Sequence, residues 1–266
     1  MHRPVEINTV SDIVVSIGKK ALLPRFARVE RNIKPDGSVV TDADLECQSL
    51  LIYQLGSHWK DIDVLGEEMT KEEQQAKLES GRPLWCLDPL DGTTNFVSGF
   101  PVFSISLSLI IDNEIRMGLV YDPMRDELFA AEKGRGAKLN SNKLGLKKIP
   151  RSLKRSIAIV DFKRLSPALA TGLATQPPFA SMRSIGSVAL DWCWLAASRC
   201  HVYLHGRQNL WDYSAGNLIF SEAGGHSSTL EDEPVFSNKL EPRSAVGAVE
   251  AELFSEWKNQ IKALSR

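Results

Sequence analysis

The sequence has almost no net charge, few cysteines and no long apolar run, and each shortage removes a class of protein. Its 32 basic and 33 acidic residues leave a net charge of −1, so no global field exists to hold nucleic acid. Only the stretch from Lys143 to Arg155 is locally basic, and it reads as a solvated linker. The four cysteines, Cys47, Cys86, Cys193 and Cys200, show neither close-pair spacing nor a dense framework, which argues against a disulfide scaffold or a zinc site and fits a reducing compartment. No apolar run reaches the roughly 18 to 20 residues of a membrane span. The N-terminal segment lacks the basic, apolar, small-residue order of a secretory signal, so a cytoplasmic protein with no membrane partner is expected. Internal repeats and low-complexity tracts are also missing. Hydrophobic residues at 43% and charged residues at 24% place the chain among ordinary globular proteins, and 266 residues allow one or two domains with a sizeable core.

The most informative stretch that is present runs Trp85-Cys86-Leu87-Asp88-Pro89-Leu90-Asp91-Gly92-Thr93-Thr94-Asn95-Phe96. Leu84 to Leu87 suits a short buried strand. Pro89 cannot donate a ladder hydrogen bond and Gly92 tolerates positive φ, so the chain is expected to leave the sheet at this point. Asp88 and Asp91 then stand at a strand end, where the turn can aim both carboxylates and the Leu90 carbonyl at one spot. Hard oxygen ligands of this kind suit Mg²⁺, which binds through a few carboxylates together with substrate phosphate. The Gly92-Thr93-Thr94-Asn95 run adds backbone N–H groups and hydroxyls that can face an anion at a helix start. Taken alone, an Asp-Pro-x-Asp-Gly string equally suits a plain surface turn.

The flanking residues narrow the choice. Trp85-x-x-Asp88-Pro89-Leu90-Asp91-Gly92-Thr93-x-Asn95-Phe96 resembles the first signature of the inositol monophosphatase superfamily, and Trp211-Asp212-Tyr213-Ser214-Ala215-Gly216 with Glu222-Ala223-Gly224-Gly225 resembles the second. Val40-Thr41-x-Ala43-Asp44, Gly66-Glu67-Glu68, Gly134-x-Gly136-Ala137-x-x-Asn140 and Arg183-x-x-Gly186-Ser187 extend the resemblance from about Lys34 to Val249. It implies a mixed α/β fold, a layered αβαβα sandwich of the inositol monophosphatase and fructose-1,6-bisphosphatase type. One catalytic unit is expected over residues 1–266, with subdomains of about 1–147 and 148–266, as a homodimer.

The resemblance also implies roles. Glu67, Asp88, Leu90, Asp91 and Asp212 would hold two or three Mg²⁺ ions; Glu67 and Thr93 would position or activate the attacking water, with Asp44 hydrogen-bonded to Thr93 as a supporting base. Asp91, Gly92, Thr93, Gly186, Ser187 and His205 would bind a small phosphorylated metabolite. Ligand chemistry agrees, because carboxylates packed without cations repel one another and raise one another's pKa values. Isolated, the Glu67-Glu68 pair is an ordinary solvated feature, Trp211-Asp212 a helix start with Asp212 as N-cap, and Gly186-Ser187 a plain N-cap.

Elsewhere Val5, Ile7, Val10, Ile13, Val14 and Ile17 recur at helical spacing before Pro24. Lys34-Pro35-Asp36-Gly37-Ser38 reads as a turn, Thr41 to Asp44 as the cap of a helix through Leu51, and Thr70 to Gly81 as a surface loop or exposed helix. Asp61 to Leu65, Val102 to Ile111, Ile115 to Tyr121 and Glu127 to Ala131 read as strands, with Asp112-Asn113-Glu114 and Asp122-Pro123 as turns. Ile149-Pro150 begins a linker. Beyond it Ser156 to Val160, Cys200 to Leu204 and Ala245 to Val249 are strand-like, and Val188 to Ala197, Ser214 to Glu222 and Ala251 to Leu264 helical. Trp192, Trp194 and Leu195 suit core or dimer packing.

The chain departs from the family pattern at His205, seven residues before Asp212, where inositol monophosphatases typically carry a Glu that meets the inositol ring. Imidazole offers one acceptor and one donor, which puts inositol preference in doubt. Arg207 and Gln208 in the same expected loop are candidates for a second phosphate or a carboxylate. Three functions follow. The leading one is Mg²⁺-dependent, lithium-sensitive hydrolysis of a small polyol or sugar phosphate. The second is a 3'(2'),5'-bisphosphate nucleotidase, fructose-1,6-bisphosphatase or histidinol-phosphatase. The third is a mainly regulatory binding protein, as some bacterial relatives are.

Overall fold

The protein, described here by a computed structural model over residues 4–30, 32–34, 39–147 and 152–265, opens with helix α1 (Ile7–Ile17), whose winding loosens and then tightens through Gly18–Leu22 and Leu23–Arg25 as Pro24 approaches. A short ladder of β1 (Asn32–Ile33) and β2 (Val39–Val40) leads to α2 (Asp42–His58). The expected turn at Pro35 to Ser38 and the linker at Ile149-Pro150 lie outside the described residues. Thr41 caps α2: its hydroxyl accepts from Ala43 N–H, and Asp44 at the third helical position accepts from Thr41 N–H at 2.8 Å.

Seven strands form the larger sheet in the order β3 (Asp63–Gly66), β4 (Leu84–Asp91), β5 (Ser104–Ile111), β6 (Glu114–Asp122), β7 (Glu127–Glu132), β8 (Ala137–Leu139) and β9 (Asn142–Leu144). β3 and β4 are parallel, with the polar helix α3 (Lys71–Glu79) as their crossover; every other neighbour is antiparallel. The β5–β6 hairpin turns at Asp112 and Asn113, both at positive φ (52° and 58°), the conformation a two-residue hairpin loop requires. Ser104, Ser106 and Ser108, at alternate positions of β5, are all fully buried, and the Ser108 and Ser214 hydroxyls meet at 2.7 Å across the gap to the next helix layer.

After the short α4 (Thr93–Ser98), the second half supplies β10 (Ile157–Asp161), α5 (Pro167–Thr175), β11 (Ser181–Arg183), α6 (Val188–Ala196), β12 (Val202–Gln208), α7 (Leu210–Glu222), β13 (His226–Ser228), β14 (Arg243–Ala248) and α8 (Ala251–Leu264). Its sheet runs β11-β10-β12-β14-β13, with β11, β10 and β12 mutually parallel. α1 and α2 cover one face of the large sheet, α6 and α7 lie between the two sheets, and α5 and α8 close the outer face. This is the expected layered αβαβα sandwich. Trp192 and Leu195 of α6 are fully buried in the central layer. One core cluster joins Leu65, Cys86 and Phe129 of the first half to Val160, Trp192 and Phe220 of the second. Among the described residues no helix is long and apolar enough to cross a membrane.

Candidate active site

The Asp88–Asp91 segment does not leave the sheet as its proline suggests. β4 keeps pairing with β5, Asp88 opposite Ser106 and Asp91 opposite Ser104, so three residue steps on one strand match two on the other. This is a β-bulge, and Pro89 and Leu90 are its contents. In a regular strand residues three apart point to opposite faces; the extra residue restores an even step, so Asp88 and Asp91 share a face. Asp88 Oδ1 accepts from Leu90 N–H at 2.9 Å inside the bulge. Gly92 follows at φ 95°, and a Cβ there would stand 3.0 Å from the Val102 carbonyl, so glycine is required to release the chain into α4.

The other carboxylates arrive from helix starts and a strand end. Asp212 is not the N-cap of α7: Asn209 is, and Asp212 sits at the third helical position, its Oδ2 accepting from Asn209 N–H at 2.8 Å. Asp44 holds the same position in α2, and the Thr93 hydroxyl lies 3.1 Å from Asp44 Oδ1 and 3.0 Å from the Leu90 carbonyl. The expected Asp44–Thr93 contact is therefore present. Glu67 follows β3 and comes within hydrogen-bonding reach of Asp88. Lys34, which the sequence did not mark out, donates to Glu67 at 3.0 Å and to Glu68 at 2.6 Å.

Gly186 and Ser187 lead into α6, but the start of that helix is already taken. Asp91 accepts from Val188 N–H at 3.1 Å, Ala189 N–H at 2.8 Å and the Ser187 hydroxyl at 2.5 Å. In this structure Ser187 and the first N–H groups of α6 thus hold an internal carboxylate rather than standing open to substrate. Asn95 donates to the Val102 and Ile185 carbonyls and ties α4 to the approach of α6.

Burial raises the pKa of every carboxyl in the group. For Asp88 the rise is large and is reinforced by Glu67, Asp91 and Asp212; for Asp212 it is likewise large, with Glu67 and Asp91 adding to it. Asp91 is pushed up to about 6 by burial against the pull of its hydrogen bonds, and Asp44 to about 6 by burial against its bonds to Thr41. Burial also raises Glu67, with Lys34 opposing. Repulsion of this kind is what bound cations relieve, and the donors are hard oxygens, so the residues present fit divalent metal. As they stand, among the described residues no three Asp, Glu, His or Cys side chains are arranged to ligate one ion. The carboxylates are turned instead onto Lys34 and the backbone donors named above. A cavity of about 550 Å³ lined by Arg164, Leu165, Ser166, Leu169, Gly206 and Lys262, among others, includes none of the four carboxylates, so chemistry rather than volume marks the site.

His205 is not in a loop. It lies inside β12, 4% exposed, with Nε2 3.0 Å from Asp161 Oδ2 and Nδ1 accepting from Arg207 N–H at 3.2 Å. Gln208 is buried and bonded to Trp192 Nε1 and the Tyr203 hydroxyl, which withdraws it as a phosphate contact; Arg207 is exposed. The sequence reading also missed Asp191, a fully enclosed carboxyl in the apolar helix α6. Burial drives its pKa far up, Asp91 and Asp161 reinforce the rise, and Oδ1 has no hydrogen-bond partner. An acid inside the run Ala189-Leu190-Asp191-Trp192 was the available signal.

Comparison with known proteins places these features in context. Residues 6–262 match the inositol monophosphatase family. Inositol monophosphatase 1 of Solanum lycopersicum is 36% identical over 193 residues, 70% of each chain. Nus factor SuhB of Pasteurella multocida is 35% identical over 205 residues, 74% of each chain. The solved structure of the Thermotoga maritima IMPase superposes with a TM-score of 0.83 at 24% identity, covering 97% of this chain and 96% of that one, and shows the shared fold.

Proposed function

The chain belongs to the inositol monophosphatase family and is a phosphoric monoester hydrolase, and on that premise we propose that it hydrolyses the phosphate monoester of a small polyol or sugar with Mg²⁺ as cofactor. The observation that carries this reading is the convergence of Glu67, Asp91 and Asp212 on buried Asp88, whose pKa burial and their three charges raise together. These four and the Leu90 carbonyl would hold two or three ions. When bound, the ions would neutralise charge on the phosphoryl oxygens and the leaving alkoxide and acidify the attacking water.

The chain's own groups supply orientation and proton transfer. Thr93 Oγ1, between Asp44 Oδ1 and the Leu90 carbonyl, is fixed to orient water toward phosphorus, and Glu67 is the carboxylate beside Asp88 that can take its proton. Asp44, pushed up to about 6 by burial, can share a proton with Thr93 near neutral pH. Water adds to phosphorus, the ester oxygen leaves with a proton as the alcohol, and inorganic phosphate is the second product. Gly92 and Thr93 would line the phosphate. Lithium sensitivity and a homodimeric assembly are further expectations supported by membership of the family.

A second reading within the hydrolases, as a bisphosphate nucleotidase, fructose-1,6-bisphosphatase or histidinol-phosphatase, is supported by Arg207, an exposed guanidinium on β12 suited to a second phosphate or a carboxylate. A mainly regulatory role rests on the likeness to the Nus factor alone. The test is a phosphate-release panel with Mg²⁺ and with chelator, spanning inositol phosphates, sugar phosphates and bisphosphates, nucleotides and histidinol phosphate. Mg²⁺-dependent release from a small polyol or sugar monophosphate is expected; inactivity throughout would sink the proposal.

A further inference from the structure

The strand position that departs from the family pattern has a partner on the next strand. β10 and β12 are parallel neighbours, and their register sets Asp161 opposite His205 at the C-terminal end of each. His205 Nδ1 accepts from Arg207 N–H, so in the neutral ring the proton is on Nε2 and is donated to Asp161 Oδ2 at 3.0 Å. Both nitrogens are thereby used, which leaves the ring no group for a ligand.

Asp161 is placed differently. Its side chain is 28% exposed, Oδ2 accepts from His205, and Oδ1 accepts from Lys163 N–H at 2.9 Å. A carboxylate has about four acceptor sites, so two remain after these bonds. Burial works to raise the Asp161 pKa, but His205 and Lys163 outweigh it and hold the group below the usual carboxylate range. The turn that carries it is packed tightly against β12: Gly206 lies directly beneath the Arg164 carbonyl, where a Cβ would stand only 1.8 Å away.

The surroundings tie Asp161 to the carboxylate cluster. In open α/β sheets, ligands sit beyond the C-terminal ends of parallel strands, which is the edge Asp161 and His205 share. From that edge β12 passes through Gln208 into the Asn209–Asp212 cap. Buried Tyr203, two residues before His205, lies in the combined field of Asp191, Asp91, Asp161 and Asp212, and Arg164 acts on both Asp161 and Asp212.

We propose that Asp161, oriented by His205, is a substrate-binding residue whose carboxylate accepts hydrogen bonds from hydroxyl groups of the phosphorylated polyol. His205 is then a positioning residue. The proposal rests on the phosphatase reading and names the residue that gives that site its preference for hydroxyl-bearing esters.

The experiment measures kcat and KM in Mg²⁺ for the wild-type protein, Asp161→Asn, Asp161→Ala, His205→Leu and His205→Gln. The substrates are inositol 1-phosphate and p-nitrophenyl phosphate, an aryl ester without hydroxyls. Both Asp161 variants should lower the ratio of kcat/KM for the polyol ester to that for the aryl ester by about tenfold or more, chiefly through KM, as loss of a hydrogen bond to a charged acceptor implies. His205→Leu should reproduce that fall, and His205→Gln, whose amide can still donate to Asp161, should restore most of the ratio. An unchanged ratio in both Asp161 variants, or equal losses on both esters, overturns the assignment. A wild-type protein active only on the aryl ester overturns it while leaving the phosphatase reading intact; one active on neither removes both.

Discussion

Replacing Asp91 by asparagine separates what its charge does from what its hydrogen bonds do. Oδ1 accepts from Val188 N–H, and Oδ2 from Ala189 N–H and the Ser187 hydroxyl. Asparagine keeps one acceptor oxygen, so its amide must face at least one backbone donor, a loss of about 1–3 kcal/mol. Against that stands the charge: burial puts the carboxyl at about 6 instead of 3.8. Holding it ionised in the core therefore costs about 3 kcal/mol once the pH exceeds both values. The native value is the higher, so the folded state binds the extra proton between about pH 4 and pH 6, and this contribution to stability is lost as pH rises through that window. About half the penalty is present at about pH 5, so the stability of Asp91→Asn relative to wild type should improve by about 1–2 kcal/mol between about pH 5 and pH 7.5. Urea unfolding of both proteins in chelator measures it. A difference in stability that does not move with pH would refute the reasoning. Phosphate release in saturating Mg²⁺ should meanwhile fall by about 100-fold or more if Asp91 is, as proposed, a ligand of the charge-stabilising ions.

Two other substitutions test neighbouring claims. Asp212→Asn retains an oxygen for Asn209 N–H and removes a carboxyl whose pKa burial, Glu67 and Asp91 raise, so in chelator at neutral pH it should unfold at higher urea than wild type while lowering Mg²⁺-dependent turnover by about 100-fold or more; near-normal turnover would remove Asp212 from the proposed ligand set. His205→Glu would set a second carboxylate against Asp161, where Nε2 now stands at 3.0 Å. Instead of gaining inositol preference, that variant should lose a few kcal/mol in urea unfolding, because a carboxylate at the buried position 205 would lose the hydrogen bond to Asp161 and face its charge, and a rise in kcat/KM for inositol 1-phosphate would contradict the Asp161–His205 pairing.

What could be seen in the sequence was set locally. The Asp112-Asn113 turn, the Thr41–Asp44 cap and the strand read over Val102 to Ile111, which forms as β5, each depend on residues within a few positions, and all three are present. The bulge at Pro89-Leu90 was hidden because it exists only against the partner strand: nothing within β4 says that Asp91 resumes pairing with Ser104. Distance in sequence hid the rest. Asp91 meets α6 across nearly a hundred residues, Lys34 reaches Glu67 across 33, and Gln208 is committed to Trp192 and Tyr203 by packing that no motif records. The departure at His205 was legible as a departure, but its compensation was not, since Asp161 belongs to an earlier strand and becomes a neighbour only through parallel register.

The carboxylates of the site are held by backbone donors of their own surroundings, and this explains how a repulsive cluster can be built into a folded core. Asp44 takes Thr41 N–H, Asp88 takes Leu90 N–H, Asp91 takes Val188 and Ala189 N–H, and Asp212 takes Asn209 N–H. Two of these are capping-box positions, one is the inside of a bulge, and one is a helix start. All are places where the backbone has N–H groups that regular structure would leave unpaired. The bonds that stabilise the secondary structure therefore also fix the carboxylates' direction, with little side-chain entropy left to lose when cations and phosphate arrive. Glu67 is held by an ammonium group instead, that of Lys34, which stands against it on the approach from β1. Of the carboxylates in the cluster it is the one whose present partner is itself a cationic side chain, so metal entry would exchange one source of positive charge for another there while the backbone-held acids keep their places.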